Sequence, residues 1–206
     1  YGYTPDFLLA AGYGQLNSVV LLAIPLFILA GGIMEKGKLG GALIGFVQIF
    51  LGRSKSGLGT VSVVTCAVFG AISGSAAATL SCIGSMMEPR LTEVGYPKGY
   101  TAALLAAACP LGLLIPPSSA QILYAWSSGQ SVLACFLSTI IPGIILVILL
   151  SVVNYFCTKK MDIKVAPKLS KDEFFRKSGK DAVHAIPALL MPVIILGGIY
   201  SGIMTP

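Results

Sequence analysis

Residues 58–87 form a run of 30 without one charged side chain, and Ser73-Gly74-Ser75 interrupts that run near its middle. A helix needs about 20 apolar residues to cross a hydrocarbon core of roughly 30 Å. Uncharged apolar runs at 16–34, 131–157 and 182–204 are of comparable length. With 55% hydrophobic and 11% charged residues, the chain is too apolar for a soluble domain of 206 residues. An all-α polytopic membrane protein is the expected class. The alternating segments of about 10 residues that mark a transmembrane β-barrel do not occur in the sequence.

Charge placement orders the runs. The net charge of +6 comes from 14 Lys and Arg against 8 Asp and Glu, and eight of the cations fall between Lys159 and Lys180. In a membrane protein that imbalance reads as cytoplasmic loops rather than as a nucleic-acid surface. Residues 1–17 carry Asp6 and no cation, which places them outside. Residues 16–34 then run inward, with Pro25 tolerated. Residues 39–51, at about 1.5 Å each, span about 20 Å and are too short to cross. Basic residues flank them on both sides, so they are expected along the cytoplasmic interface.

The same bias decides how 58–87 is laid out. Arg53 and Lys55 precede it and Arg90 and Lys98 follow it, so one long tilted span would put cations on both faces. A re-entrant helical hairpin with its tip at Ser73-Gly74-Ser75 keeps them on one. Each arm of about 15 residues then reaches roughly 22 Å, near the midplane. Residues 100–126 are broken by Ile115-Pro116-Pro117-Ser118, where two prolines remove backbone donors and exclude a continuous helix. One crossing by a broken helix, a return through 131–157, a cytoplasmic connector and a last exit through 182–204 keep every cation inside. Tyr124 and Trp126 read as interface anchors, His184 as an interfacial residue and Glu88 as solvated. The five cysteines lack metal or disulfide spacing and read as packing residues.

Broken backbone at membrane depth is costly unless it lines a site. The two breaks therefore point to a shared one. Half-helix C-termini offer carbonyls, and with Ser or Thr hydroxyls these are hard oxygen ligands for an alkali cation; N-termini suit an anion. No Asp, Glu, Lys, Arg or His lies within the broken segments. Sodium coupling through neutral oxygens fits better than a proton relay. No nucleophile and base pair can be assembled, so an enzyme is not expected. Pro25-Leu-Phe-Ile-Leu-Ala-Gly-Gly-Ile33 also echoes Pro192-Val-Ile-Ile-Leu-Gly-Gly-Ile199, allowing one deletion. On this topology the two run oppositely, as in an inverted repeat.

Leu22-Ala-Ile-Pro-Leu-Phe-Ile-Leu-Ala-Gly-Gly32, Ala71-Ile-Ser-Gly-Ser-Ala76, Ile83-Gly-Ser85, Glu93-Val-Gly-Tyr96 and Gly112-Leu-Leu-Ile-Pro-Pro-Ser118 follow one another in the order of a known family. The chain resembles the large membrane subunit of tripartite ATP-independent periplasmic (TRAP) transporters, the DctM-like proteins, over nearly its whole length. The resemblance implies a sodium-driven elevator importer of small organic anions in the bacterial inner membrane. It would receive its cargo from a periplasmic binding protein (DctP-like) and work beside a small membrane subunit (DctQ-like). The implied ion and substrate residues are Ser73, Gly74, Ser75, Gly112, Ile115, Pro116, Pro117 and Ser118, with Thr79 and Ser119 at the margin. Oxygens of Ser73, Gly74, Ser75 and Pro116 would hold sodium, and no other cofactor is expected. Many members carry an acidic residue where Thr79 stands and a proline where Leu113 stands.

The resemblance also implies a division of the chain. Residues 1–57 would be a scaffold helix and arm, and 58–128 a moving segment with hairpin 58–96 and broken helix 98–128. A membrane helix at 129–157 and a connector at 158–181 would follow, then the start of a second inverted repeat at 182–206. The chain would thus be most of the first half of a longer protein. A carrier of the same architecture acting without a binding protein, such as a dicarboxylate or gluconate permease, is the alternative. A channel is a more distant one, since no filter-like run or acidic ring is present.

Overall fold

The computed structural model describes residues 5–37, 39–52 and 54–163, together with positions 186, 190, 193, 194 and 196–203. Most of the connector falls outside the described residues, as do His184 and, within the Pro192 to Ile199 echo, Pro192 and Ile195. The described residues are helical, with no strand among them.

The first described element is a helix that the sequence reading missed: α1 spans Pro5–Leu16, with Asp6 in its first turn. Proline at the first helical position and an acid beside the positive end of the helix both favour that start. After Asn17 and Ser18, α2 spans Val19–Lys36 with Pro25 inside, ending two residues beyond the expected 16–34 run. Helix α3 spans Leu39–Leu51, as expected, and buries Leu43, Ile44 and Val47. A Cβ on Gly40 would stand 2.7 Å from Cys82 Sγ, so α3 lies close against the segment beyond the first break.

That segment is a helical hairpin. Helix α4 spans Gly57–Ser73 and α5 spans Ala76–Thr79; a π-helical turn at Leu80–Gly84 leads into α6, Ser85–Val94. The chain comes back to where it started. Buried Tyr96 accepts a hydrogen bond from Gly59 N–H at 3.3 Å and donates to the Lys55 carbonyl at 3.4 Å. Lys55, Arg90 and Lys98 are all exposed near those joined ends.

Helix α7 spans Lys98–Ala108, α8 spans Leu111–Leu114 and α9 spans Ser119–Ser128. The parts before and after residues 115–118 are bent by 46°. A second, smaller interruption at Cys109 and Pro110 was not expected. Pro110 stands at the start of α8, where the helix needs no donor.

Helix α10, Val132–Lys159, has 28 residues and is the one described helix long and apolar enough by itself to cross a membrane. Phe136, Gly143, Asn154 and Thr158 are buried, while Ile141, Ile144, Ile145, Ile148, Leu149 and Val152 are exposed. One stripe therefore packs on the protein and the opposite face is apolar and open. Such an outer face suits lipid better than water.

Asn154 ties α10 to the base of the hairpin. Its amide nitrogen donates to the Ser56 carbonyl at 2.9 Å and to Thr60 Oγ1 at 3.2 Å, and its oxygen accepts from Tyr100 OH at 3.1 Å. Gly59 gives it room, because any Cβ there would collide with the amide. The described residues form two apolar clusters. One holds Phe69, Ile83, Leu105 and Leu111, and the other holds Ala23, Ile122, Val132 and Phe136. Replacing Asn154 with Leu should destabilise the protein by about 1–3 kcal/mol, because three hydrogen bonds are lost together. Thermal unfolding in detergent measures this; an unchanged midpoint would remove the node from the account.

Candidate functional site

The hairpin tip is made by three residues with three different jobs. Ser73 is the last residue of α4. Gly74 adopts φ 60°, a left-handed cap, and its N–H bonds Gly70 O at 2.7 Å. Only glycine enters that region without strain. Ser75 is extended and caps α5, its Oγ accepting from Ala78 N–H at 3.4 Å. The Ser-Gly-Ser order is thus stop, reversal and start.

The second break is built differently. Helix α8 ends as Ile115 turns extended, the Pro116–Pro117 peptide is cis, and Ser118 is extended at the start of α9. Ser118 makes no side-chain cap bond. The Gln121 amide nitrogen reaches across the break to Leu113 O at 2.7 Å and Leu114 O at 3.1 Å.

The two breaks press on each other backbone to backbone. A Cβ on Gly74 would stand 3.0 Å from Pro117 O and 3.3 Å from Ser118 Cα. Ser119 Oγ donates to Gly74 O at 3.4 Å. Gly70 of α4 faces Gly112 of α8 so closely that no side chain fits between them, and a Cβ on Gly112 would also lie 2.8 Å from Thr79 Oγ1 and 3.0 Å from Ser75 O. From α2, Gly31 packs on the Ser73 backbone, where a Cβ would come within 3.1 Å of Ser73 Cα. Small residues permit this approach, as they do between membrane helices generally.

The oxygens gathered here are neutral. Thr79 Oγ1 donates to Ser75 O at 2.8 Å; Ser73 Oγ lies 3.3 Å from both Ser75 O and Thr79 Oγ1 and accepts from Ser75 N–H at 3.4 Å. Ser73, Thr79 and Ser118 are buried, and Ser118 Oγ has no hydrogen-bond partner among the described residues. No group of three or more His, Cys, Asp or Glu able to hold a metal occurs among the described residues. The donor set is one of hydroxyls and carbonyls, suited to a hard cation of low charge and unsuited to a soft metal.

Of the residues singled out in the sequence, Ser73, Gly74, Ser75, Thr79, Gly112, Pro117, Ser118 and Ser119 come together. Ile115 lies instead beside Gly143 of α10, where a glycine Cβ would stand 3.1 Å from Ile115 Cγ1. Pro116 is buried, but the contacts with the tip are made by Pro117, Ser118 and Ser119. Glu88 is exposed, as expected. Gln121 was missed. The available signal was an amide in an uncharged helix, three residues after a serine at the helix start. Because Gly112 is wedged between Gly70 and the tip oxygens, Gly112→Ala should destabilise by about 1–3 kcal/mol. Gly99→Ala, at a site with no atom within 4 Å of a new Cβ, is the neutral control. Equal behaviour of the two in thermal unfolding would contradict the close approach.

A family model, the DctM component of the tripartite ATP-independent periplasmic transporter, matches residues 6–206. The chain is 38% identical over 186 residues to the C4-dicarboxylate TRAP transporter large permease protein DctM of Pseudomonas aeruginosa, covering 90% of this chain and 43% of that protein. It is 36% identical to the ectoine/5-hydroxyectoine large permease UehC of Ruegeria pomeroyi, covering 90% and 42%. It is 35% identical to the sialic acid large permease SiaM of Vibrio cholerae, covering 94% and 44%. The chain thus spans less than half the length of these relatives. They are membrane transport permeases rather than enzymes, in agreement with the sequence reading. This chain belongs to the family of DctM components, the large permeases of tripartite ATP-independent periplasmic transporters.

Proposed function

We propose that the chain supplies the first half of the ion and substrate site of a sodium-coupled importer of small carboxylates in the bacterial inner membrane. A periplasmic binding protein delivers the cargo and a small membrane subunit accompanies the permease. The observation that carries this reading is the seating of the Gly74 tip on Pro117 and Ser118 around oxygens that bear no charge.

Depth supports it. Asn154 of α10 bonds the base of the hairpin, whereas Gly143 of the same helix lies beside Ile115 at the second break. Their offset of 11 positions along the helix corresponds to roughly 17 Å at about 1.5 Å each, about half a hydrocarbon core. With Lys55 and Lys98 at the joined ends, a re-entrant hairpin entering from the cytoplasm is the consistent membrane placement. The echo at Pro192 to Ile199 supports a second, inverted half that completes the site, and an elevator movement of 58–128 against α2 follows from that architecture.

Sodium fits the neutral hydroxyl and carbonyl set, and the start of α9 offers partial positive charge to a carboxylate. The substrates in the relatives' names, C4-dicarboxylate, ectoine and sialic acid, share a carboxylate. Their comparable identities to this chain leave selection among them to the second half of the site and to the binding protein.

Uptake by the full-length permease in proteoliposomes should require both a sodium gradient and the binding protein. Equal uptake on a proton gradient without sodium would sink the coupling, and uptake without the binding protein would favour the simpler carrier. Ser75→Ala should weaken sodium activation several-fold while costing about 1 kcal/mol through the lost cap. Sodium activation identical to the parent protein would take Ser75 out of the site.

A further inference from the structure

Ser118-Ser119-Ala120-Gln121 spells a capping box, in which the serine and the glutamine three residues later each satisfy a free N–H at the helix start. The structure leaves the box open. Ser118 makes no cap bond, and its buried hydroxyl has no hydrogen-bond partner among the described residues. Gln121 turns its amide nitrogen away from its own helix, to the carbonyls of Leu113 and Leu114. An NH2 group has two hydrogens, and these two carbonyls use both. The amide orientation is fixed by chemistry, since carbonyls only accept. Gln121 Oε1, buried and with no hydrogen-bond partner among the described residues, is left on the other side.

The carbonyls so engaged are those of the last two residues of α8, at the negative end of a half-helix. They directly follow Gly112, the residue that abuts Ser75 O and Thr79 Oγ1. They are hard, neutral oxygens of the same kind as the tip set, one and two residues after Gly112 in the chain. A glutamine retained only to start α9 would bond the α9 backbone.

We propose that Gln121 is a positioning residue that competes with the coupling cation. Its amide nitrogen holds the Leu113 and Leu114 carbonyls, which would otherwise extend the oxygen set at Ser73, Ser75 and Thr79. It thereby sets the cation concentration at which the site fills. This rests on the cation-coupled reading above and deepens it.

The test uses the full-length permease with its small subunit and binding protein, comparing the parent protein with Gln121→Met and Gln121→Leu. Met keeps the length and removes both donors; Leu removes both donors with a shorter side chain and likewise adds no charge, so it serves if the Met variant does not fold. Sodium and potassium are titrated against thermal unfolding in detergent, and sodium against uptake in proteoliposomes. The sodium concentration giving half-maximal stabilisation and half-maximal uptake should fall about tenfold in either variant, as expected from removing two competing bonds of modest net strength. The half-saturating concentration of binding protein should stay the same. A purely structural brace would lower the unfolding temperature at every sodium concentration and leave the sodium midpoint in place, which overturns the proposal, as does a raised midpoint. If parent uptake ignores sodium yet the cation midpoint of unfolding still falls in the variants, the coupling reading fails and the competition stands. If neither cation stabilises parent or variant, the competition fails.

Discussion

The site depends on one close approach: α4 and α8 meet at Gly70 and Gly112 with no side chain between them. That contact brings Ser75 O and Thr79 Oγ1 against α8 and lets the Gly74 tip settle on Pro117 and Ser118. A methyl group at either glycine would push the helices apart and separate the two breaks. The energetic logic is that of membrane helix packing, where close backbone contact replaces a hydrophobic driving force that lipid does not provide.

The backbone breaks themselves need local chemistry that the sequence displays openly. A left-handed residue between two serines, and two prolines in an apolar run, are features of composition and order. Their positions, the 39–51 helix, the extent of the broken segment and the long helix near 131–157 were therefore legible before any coordinates. Charge parity leads to the expectation that the ends of 58–96 share a face; in the structure those ends meet where Tyr96 bonds Gly59 and Lys55. Helix α1 escaped because residues 1–17 were read by polarity, whereas Pro5 and Asp6 are start signals that act regardless of it.

Two buried amides escaped for another reason. Asn154 and Gln121 lie in apolar helices, where single polar residues are easily passed over in a hydropathy reading. Their partners, Ser56, Thr60 and Tyr100 for one and Leu113 and Leu114 for the other, lie on other helices or across a break. Bonds of that kind depend on how helices pack, which periodicity does not encode. An amide buried in an apolar helix should therefore be read as a demand for partners elsewhere. The same holds for Ile115, whose neighbour Gly143 on α10 no local pattern could have named.

The oxygens that gather at the tip carry no formal charge, and no Asp, Glu, Lys, Arg or His stands between Lys55 and Glu88 or between Lys98 and Lys159. Transmembrane voltage acts on charge, at about 2.3 kcal/mol per elementary charge per 100 mV. It therefore does almost no work on these residues as such. Any current through them would be carried by a bound cargo and not by the protein's own side chains.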